Sequence, residues 1–318
     1  MMIGPMRGLY LALFALTLGG CTCAPGDERA KKDRWKLEDE PNTDPIPRRD
    51  VIYLVTLESK LMSFDPEQPG MSAYRAIGDL ECNRYSSPQS MAVDRNGIAW
   101  VFYSSGHLYW VSTADASCNP TKYVHPSGNT QLGMAFTSDR PKAPEETLYI
   151  ASASFGLATI DTKSLEVRNI SSSPVKGELA GGADAKLFMF TPTTFGEFGY
   201  SRLDELNRTN YASALAHQMR EQSYLQAWAF ARYGGLFYIF TSEAGEPSKC
   251  TVVDVEGKIE RVRDPDIGYR IVGAGQSTLV PQRDTGEPVR GDAPPERAAP
   301  SASPSAVPAP RKLNPFEM

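Results

Sequence analysis

Histidine is scarce in this chain and does not cluster. The 3 histidines among 318 residues stand apart at His107, His125 and His217, and the 5 cysteines form no CxxC pair. Zinc sites draw their ligands from short, paired spacings. No resident metal or other cofactor is therefore expected, and each histidine reads as a surface or turn residue. Also missing are a Ser-His-Asp order, a glycine-rich phosphate loop and a paired-acid motif, which removes the usual sequence grounds for an enzyme. Charge of one sign is lacking too. With 33 basic and 38 acidic residues the net charge is −5, and the absence of a long basic run argues against nucleic acid as a main partner. Long apolar runs are missing as well. The best of them, residues 8–18, is about 11 residues long, against roughly 20 for a helix that crosses a bilayer. It suits the h-region of a secretory signal, with Arg7 and the amino terminus as its basic n-region.

That run ends in a specific sequence. Leu18-Gly19-Gly20-Cys21 resembles the lipobox of bacterial lipoproteins. The resemblance implies a diacylglyceryl thioether on Cys21, cleavage before it and acylation of the new amino terminus, by palmitate or a similar chain. Two or more chains make anchoring stable, at about 0.8 kcal/mol per buried methylene. On this reading residues 1–20 are a signal peptide and the lipid bilayer is a partner through acylated Cys21. Thr22 is not aspartate, so the familiar sorting scheme points to the outer membrane, on its periplasmic or cell-surface face. An ordinary secretory signal with a chance cysteine is the weaker alternative, and a retained transmembrane anchor is weaker still. Residues 21–49 mix charges and prolines with few large apolar residues and read as a flexible tether. Residues 282–318 are rich in proline, alanine and serine, without periodicity, and read as a disordered tail.

Between these ends, residues 50–281 carry an internal repeat. Five times a short apolar strand is followed by a turn and a second strand, often ending in aspartate. The units begin at residues 51, 98, 147, 186 and 236, and their anchors Tyr53, Trp100, Tyr149, Phe188 and Tyr238 recur at the spacing of a propeller blade. The first strand of each unit is nearly continuously apolar, as "TLYIA" and "LFYIF" show, which fits a strand covered on both faces. The strand-end acids Asp65, Asp115, Asp161, Asp204 and Asp254 suit turn capping. A further strand precedes four of the units, at residues 89, 132, 178 and 226. The first unit lacks one, while "RIVGAGQSTLVP" (270–281) is left over at the far end. Placing it beside the first unit closes a ring with no free sheet edge between its ends. The expected fold is all-β: a propeller of five four-stranded blades, or six if one unit is degenerate. Residues 201–222 read locally as a helix and by repeat position as the outer part of the fourth blade, and the blade reading is favoured.

With Cys21 lipidated, the remaining four cysteines permit three full pairings. Cys82 and Cys118 fall on the outer sides of adjacent blades, and a disulfide between them suits an exported protein. Cys250 reads as a buried free thiol. Cys23, in the tether, is left either free or paired between molecules.

The phrases "SPQSMAVDRNGIAWVFYSSGHLYWVSTADASC", "QAWAFARYGGLFYIF" and "RIVGAGQSTLVP" resemble a group of myxobacterial lipoproteins. Through "MAVDRNGIAWV" the chain is more loosely similar to NHL and SMP-30/gluconolactonase-type propellers. The resemblance implies a fold and an address. The lactonase-type enzymes hold a divalent metal at the channel, and no such ligand set maps onto this chain. The function expected is therefore a membrane-anchored binding or scaffold module with a protein partner in the envelope. Tyr85, Tyr123 and Tyr269 are candidate loop aromatics. The alternative is a periplasmic hydrolase or lactonase-like enzyme, with Asp94, Glu178, Asp184 and Glu197 as candidate carboxylates, each of them otherwise a turn or structural acid.

Overall fold

The computed structural model describes residues 50–125, 131–173, 177–192, 200–220, 224–256, 258–280 and 282. The segments expected to be signal and tether, with Cys21 and Cys23, together with Glu197 and residues 283–318 of the expected tail, lie outside the described residues. Those described form a five-bladed β-propeller. The first blade holds β1 (Ile52–Thr56), β2 (Lys60–Phe64) and β3 (Tyr74–Asp79). The second runs β4 (Pro88–Val93), β5 (Ile98–Tyr103), β6 (His107–Ser112) and β7 (Cys118–Val124). The third is β8 (Leu132–Ser138), β9 (Glu146–Ser152), β10 (Gly156–Ile160) and β11 (Val167–Ser171). The fourth is β12 (Glu178–Ala180), β13 (Leu187–Thr191), β14 (Tyr200–Leu206) and β15 (Ser213–Arg220). The fifth is β16 (Ala227–Tyr233), β17 (Leu236–Ser242), β18 (Lys249–Asp254) and β19 (Ile259–Asp264), and β20 (Ile271–Gly275) comes after it. Each blade is a four-stranded antiparallel sheet, and β20 supplies the inner strand of the first, in the order β20-β1-β2-β3.

The closure expected from the leftover segment is present. Tyr53 pairs with Gly275, Leu54 with Ala274 and Val55 with Gly273. The inner strands β20, β4, β8, β12 and β16 pack side by side around the axis.

The weak alternation of the apolar strands has a direct cause. Each sheet sends alternate side chains into two seams, one shared with each neighbouring blade. From β1, Tyr53 and Val55 join Met91 and Val101 of the second blade, while Ile52 and Leu54 join Tyr238 and Phe240 of the fifth. The other three seams repeat the plan. A strand used on both faces has no solvent side to mark with polar residues. Phe64 shows how such a seam is filled. It is fully buried, and the rings of Tyr74, Tyr238 and Phe240 lie 4.7, 5.5 and 5.7 Å from its own. Burying one such side chain is worth about 1.5–3 kcal/mol.

Of residues 201–222, those up to Arg220 conform to the blade reading, lying in β14, β15 and the turn between them rather than in a helix, and the last two are outside the described residues. The turn aspartates hold in part. Asp65, Asp115 and Asp161 each accept a backbone N–H two residues on. In the fourth blade the strand continues past its expected end at Asp204 as far as Leu206. Asn207 takes the turn there, accepting from the N–H of Thr209. Asp204 is instead buried inside β14 and paired with Arg202 at 2.8 Å. Cys82, just past β3, is disulfide-bonded to Cys118 at the head of β7, with their Cα atoms 5.1 Å apart. Cys250 is free and buried, and burial pushes its thiol up to about 12.

Candidate functional site

The propeller axis is closed by small residues. A Cβ on Gly133 would stand 2.1 Å from the carbonyl oxygen of Gly177, and one on Gly181 would stand 2.1 Å from that of Phe136. At these points glycine alone lets the backbones of neighbouring blades meet. A small void between the inner strands is lined by Ala92, Ala135, Leu179, Ala274 and their neighbours.

One acid occupies this axis. Glu178, at the start of β12, is 2% exposed. Its Oε1 accepts the Ser90 hydroxyl from β4 at 2.6 Å and the Met134 N–H from β8 at 3.2 Å. Burial raises its pKa well above the ordinary carboxylate range, against the pull of those donors. Its carboxyl therefore ties three blades together.

Where the inner strands end, the chain folds back over the axis. After β20, the Gln276 amide donates to the carbonyl of Gly181 at 2.7 Å and accepts from the N–H of Arg232 at 3.3 Å. Thr278 donates to Glu146 Oε2 at 2.5 Å, and Val280 is buried in the seam between the fifth and first blades. Gln282 accepts from the N–H of Gly235. This strap thus touches the third, fourth, fifth and first blades across one mouth.

Two carboxylates sit beneath it. Burial raises Glu146 to about 7, opposed by the Thr278 hydroxyl and the Arg95 N–H, which both donate to it. The Arg95 side chain lies 3.7 Å from the same carboxylate and also donates to Ser138. Asp184 is held bidentate by Arg232 at 2.9 and 2.8 Å. Burial disfavours its charge, but the guanidinium outweighs this and keeps the pKa below the usual range. Arg232 is itself clasped by the faces of Phe188 and Phe237, 4.5 and 5.4 Å away.

The opposite mouth has a different chemistry on its second-blade side. The loop after Cys82 is fixed by Asn83, whose side-chain oxygen accepts the N–H of Tyr85 at 3.0 Å. Ser86 and Ser104 share a hydrogen bond of 2.8 Å, and the N–H of Ser105 donates to Ser86. His107 contacts Ser105 at 3.2 Å. From this braced, hydroxyl- and amide-rich rim, Tyr85 stands 91% exposed.

The sequence candidates take different places in the fold. Glu178 lies on the axis and Asp184 at the strapped mouth. Asp94 is buried in the β4–β5 turn, where it accepts the N–H groups of Asn96 and Ile98 and the Trp100 indole. Burial raises its pKa against those donors. Of the tyrosines, Tyr85 is exposed as expected. Tyr123 is a correction: it lies in β7, 5% exposed, in the seam between the second and third blades. Tyr269 packs against the seam of the fifth and first blades. His125 is a second correction. Instead of lying at the surface it is 2% exposed, stacked on Phe155 at 5.3 Å, and burial lowers its pKa. His217 and His107 are partly exposed, His217 pairing with Glu260 at 2.8 Å. Among the described residues, no group of three His, Cys, Asp or Glu side chains is placed to hold a metal ion.

Glu146 was not legible as a candidate. It opens an apolar strand, as many solvent-facing acids do, and its partner Thr278 arrives from the far end of the fold. Only the closure of the ring brings the two together.

No protein-family model matches the chain, and no curated protein matches it. Among solved structures it is similar to a chain of a nidogen/laminin complex, at 8% identity and a TM-score of 0.47, over 71% of this chain and 97% of that one. It is also similar to TolB from Acinetobacter baumannii, at 10% identity and a TM-score of 0.39, over 71% of this chain and 65% of that one. Neither likeness carries a residue role or an activity to this chain.

Proposed function

We propose that this chain is an envelope lipoprotein, anchored through acylated Cys21, whose propeller is a rigid module for binding a protein partner. The observation that carries this reading is the braced loop at Tyr85. An aromatic ring stands 91% exposed on a segment held by the Cys82–Cys118 disulfide and by the Asn83, Ser86 and Ser104 hydrogen bonds. A preordered aromatic gives contact area without a large ordering cost on binding. Three of the carboxylates that the sequence singles out support a scaffold as well, since Asp94, Glu178 and Asp184 are each engaged as internal struts.

The anchor rests on the lipobox residues and the outer-membrane address on Thr22. Radiolabelled palmitate should enter the wild-type chain and not Cys21→Ser, and membrane fractionation should track the label. Tyr85→Ala should lose an envelope partner that the wild-type chain retains in a pull-down, with melting unchanged. Capture unaffected by Tyr85→Ala removes the proposed surface.

The finer likeness to NHL and SMP-30-type propellers supports architecture and not chemistry. Its phrase "MAVDRNGIAWV" makes the β4–β5 turn that Asp94 caps. A hydrolase or lactonase-like reading draws on one observation, a Glu146 carboxyl raised to about 7 by burial, a value suited to proton transfer near neutrality. Glu146→Gln tested against lactone substrates decides it.

A further inference from the structure

Among the described residues the outer edges of the five outer strands carry no further strand, and the strands differ in how they guard them. Unpaired strand edges invite pairing with another chain, and proteins blunt them with charge, proline, bulges or short length. β3 carries Arg75 and Asp79, and β7 carries Pro120, Lys122 and the disulfide. β11 has 5 residues and Arg168, and β19 carries Glu260, Arg261, Arg263 and Asp264. β15 is the most weakly guarded of the five. It is 8 residues long, "SALAHQMR", with no proline, no acid and a single full charge at its last position. Ser213, Ala214 and Leu215 are exposed, Leu215 at 51%. All five edges contain a register shift, so the shift does not separate them.

In β15 that shift produces a local symmetry. Ser213, Leu215, Gln218 and Arg220 oppose Leu206, Asp204, Arg202 and Tyr200, alternate residues of β14. They therefore share one face, in spite of the odd spacing between Leu215 and Gln218. Reflected about the midpoint of Ala216 and His217, Ser213 meets Arg220, Leu215 meets Gln218 and Ala214 meets Met219. Each residue meets one on its own face, and no like charges oppose.

We propose that β15 is a self-association edge. Two copies of the chain pair β15 to β15, antiparallel about a two-fold axis between Ala216 and His217, and join two four-stranded blades into one continuous sheet. A second copy is the occupant the observations favour, because the register is self-complementary. The chain's own end segments are studded with prolines, which cannot donate to a ladder.

The test is sedimentation velocity of the full chain in detergent across a concentration series. The wild-type chain should form a reversible dimer. Leu215→Lys with Gln218→Lys places lysine opposite lysine twice and should weaken the dimer at least tenfold. Leu215→Lys with Gln218→Glu places opposite charges there and should restore it. Melting curves of all three should coincide at concentrations too low for the wild-type chain to dimerise, since both positions are at the surface. A wild-type chain that stays monomeric, a lysine pair that leaves the dimer intact, or two double variants that dissociate alike would each overturn the proposal.

Discussion

Ser90 and Glu178 meet across the propeller axis, the serine hydroxyl donating to the glutamate carboxyl over 2.6 Å from blades two places apart in the ring. The acid is buried, and burial raises its pKa well above the ordinary carboxylate range, so the fold favours the neutral carboxyl. A carboxyl raised in the folded state stabilises fully below its unfolded value. That contribution is lost as pH rises through the window up to the folded value. Glu178→Gln keeps the shape and removes the titration. Its stability relative to the wild-type chain should rise with pH above about 4, by up to about 1.4 kcal/mol per pH unit. Urea melts at pH 4 to 8 measure this, and parallel curves for the two proteins would contradict it. Glu178→Ala should instead cost about 2–3 kcal/mol at pH 4, because it strands two buried donors, and that cost should shrink as pH rises.

The Thr278–Glu146 contact predicts a second pH effect at the strap. Glu146 is raised to about 7 from an ordinary 4.5, so its contribution is present below pH 4.5 and lost as pH rises toward 7. Thr278→Val removes a donor that favours the ionised form. It should cost about 1 kcal/mol and move the upper end of the window above 7. Chemical denaturation at half-unit pH steps reads both effects.

The disulfide closes a loop with a sequence separation of 36. On loop entropy it contributes about 4 kcal/mol. Cys82→Ala with Cys118→Ala should lower the unfolding free energy by that order, and a reductant should do the same to the wild-type chain and nothing to the variant. Differential scanning calorimetry with and without reductant makes the comparison.

Gly133→Ala and Gly181→Ala should be among the most damaging small substitutions. Each new methyl would meet a neighbouring carbonyl at 2.1 Å, so the inner strands must separate. A loss of about 3 kcal/mol, or failure to accumulate as soluble protein, is expected, whereas Ala92→Gly should be far milder.

The blades could be read from the sequence because their signals are local: apolar runs, turn aspartates and a steady period. The features that escaped depend on distant parts of the chain. Asp204 looked like Asp161, yet β14 continues to Leu206 and gives the turn to Asn207. A strand's end is set by its pairing partners, which a local pattern does not reveal. His125 and Tyr123 have polar neighbours in sequence, and they are buried only because the third blade closes over them. Glu146 gained its character from Thr278, which the ring closure delivers. Tyr85 was correctly placed at the surface, but the bracing that makes it a platform comes from Ser104 in the next hairpin.

The clasp between β1 and β20 sets an order of events in biogenesis. β1 is among the earliest parts of the propeller to leave the ribosome and β20 the latest, so the first sheet stays incomplete until nearly the whole body has been synthesised. A translocating chain would therefore cross as an unsealed string of hairpins, and final locking would belong to the compartment where the last strand arrives.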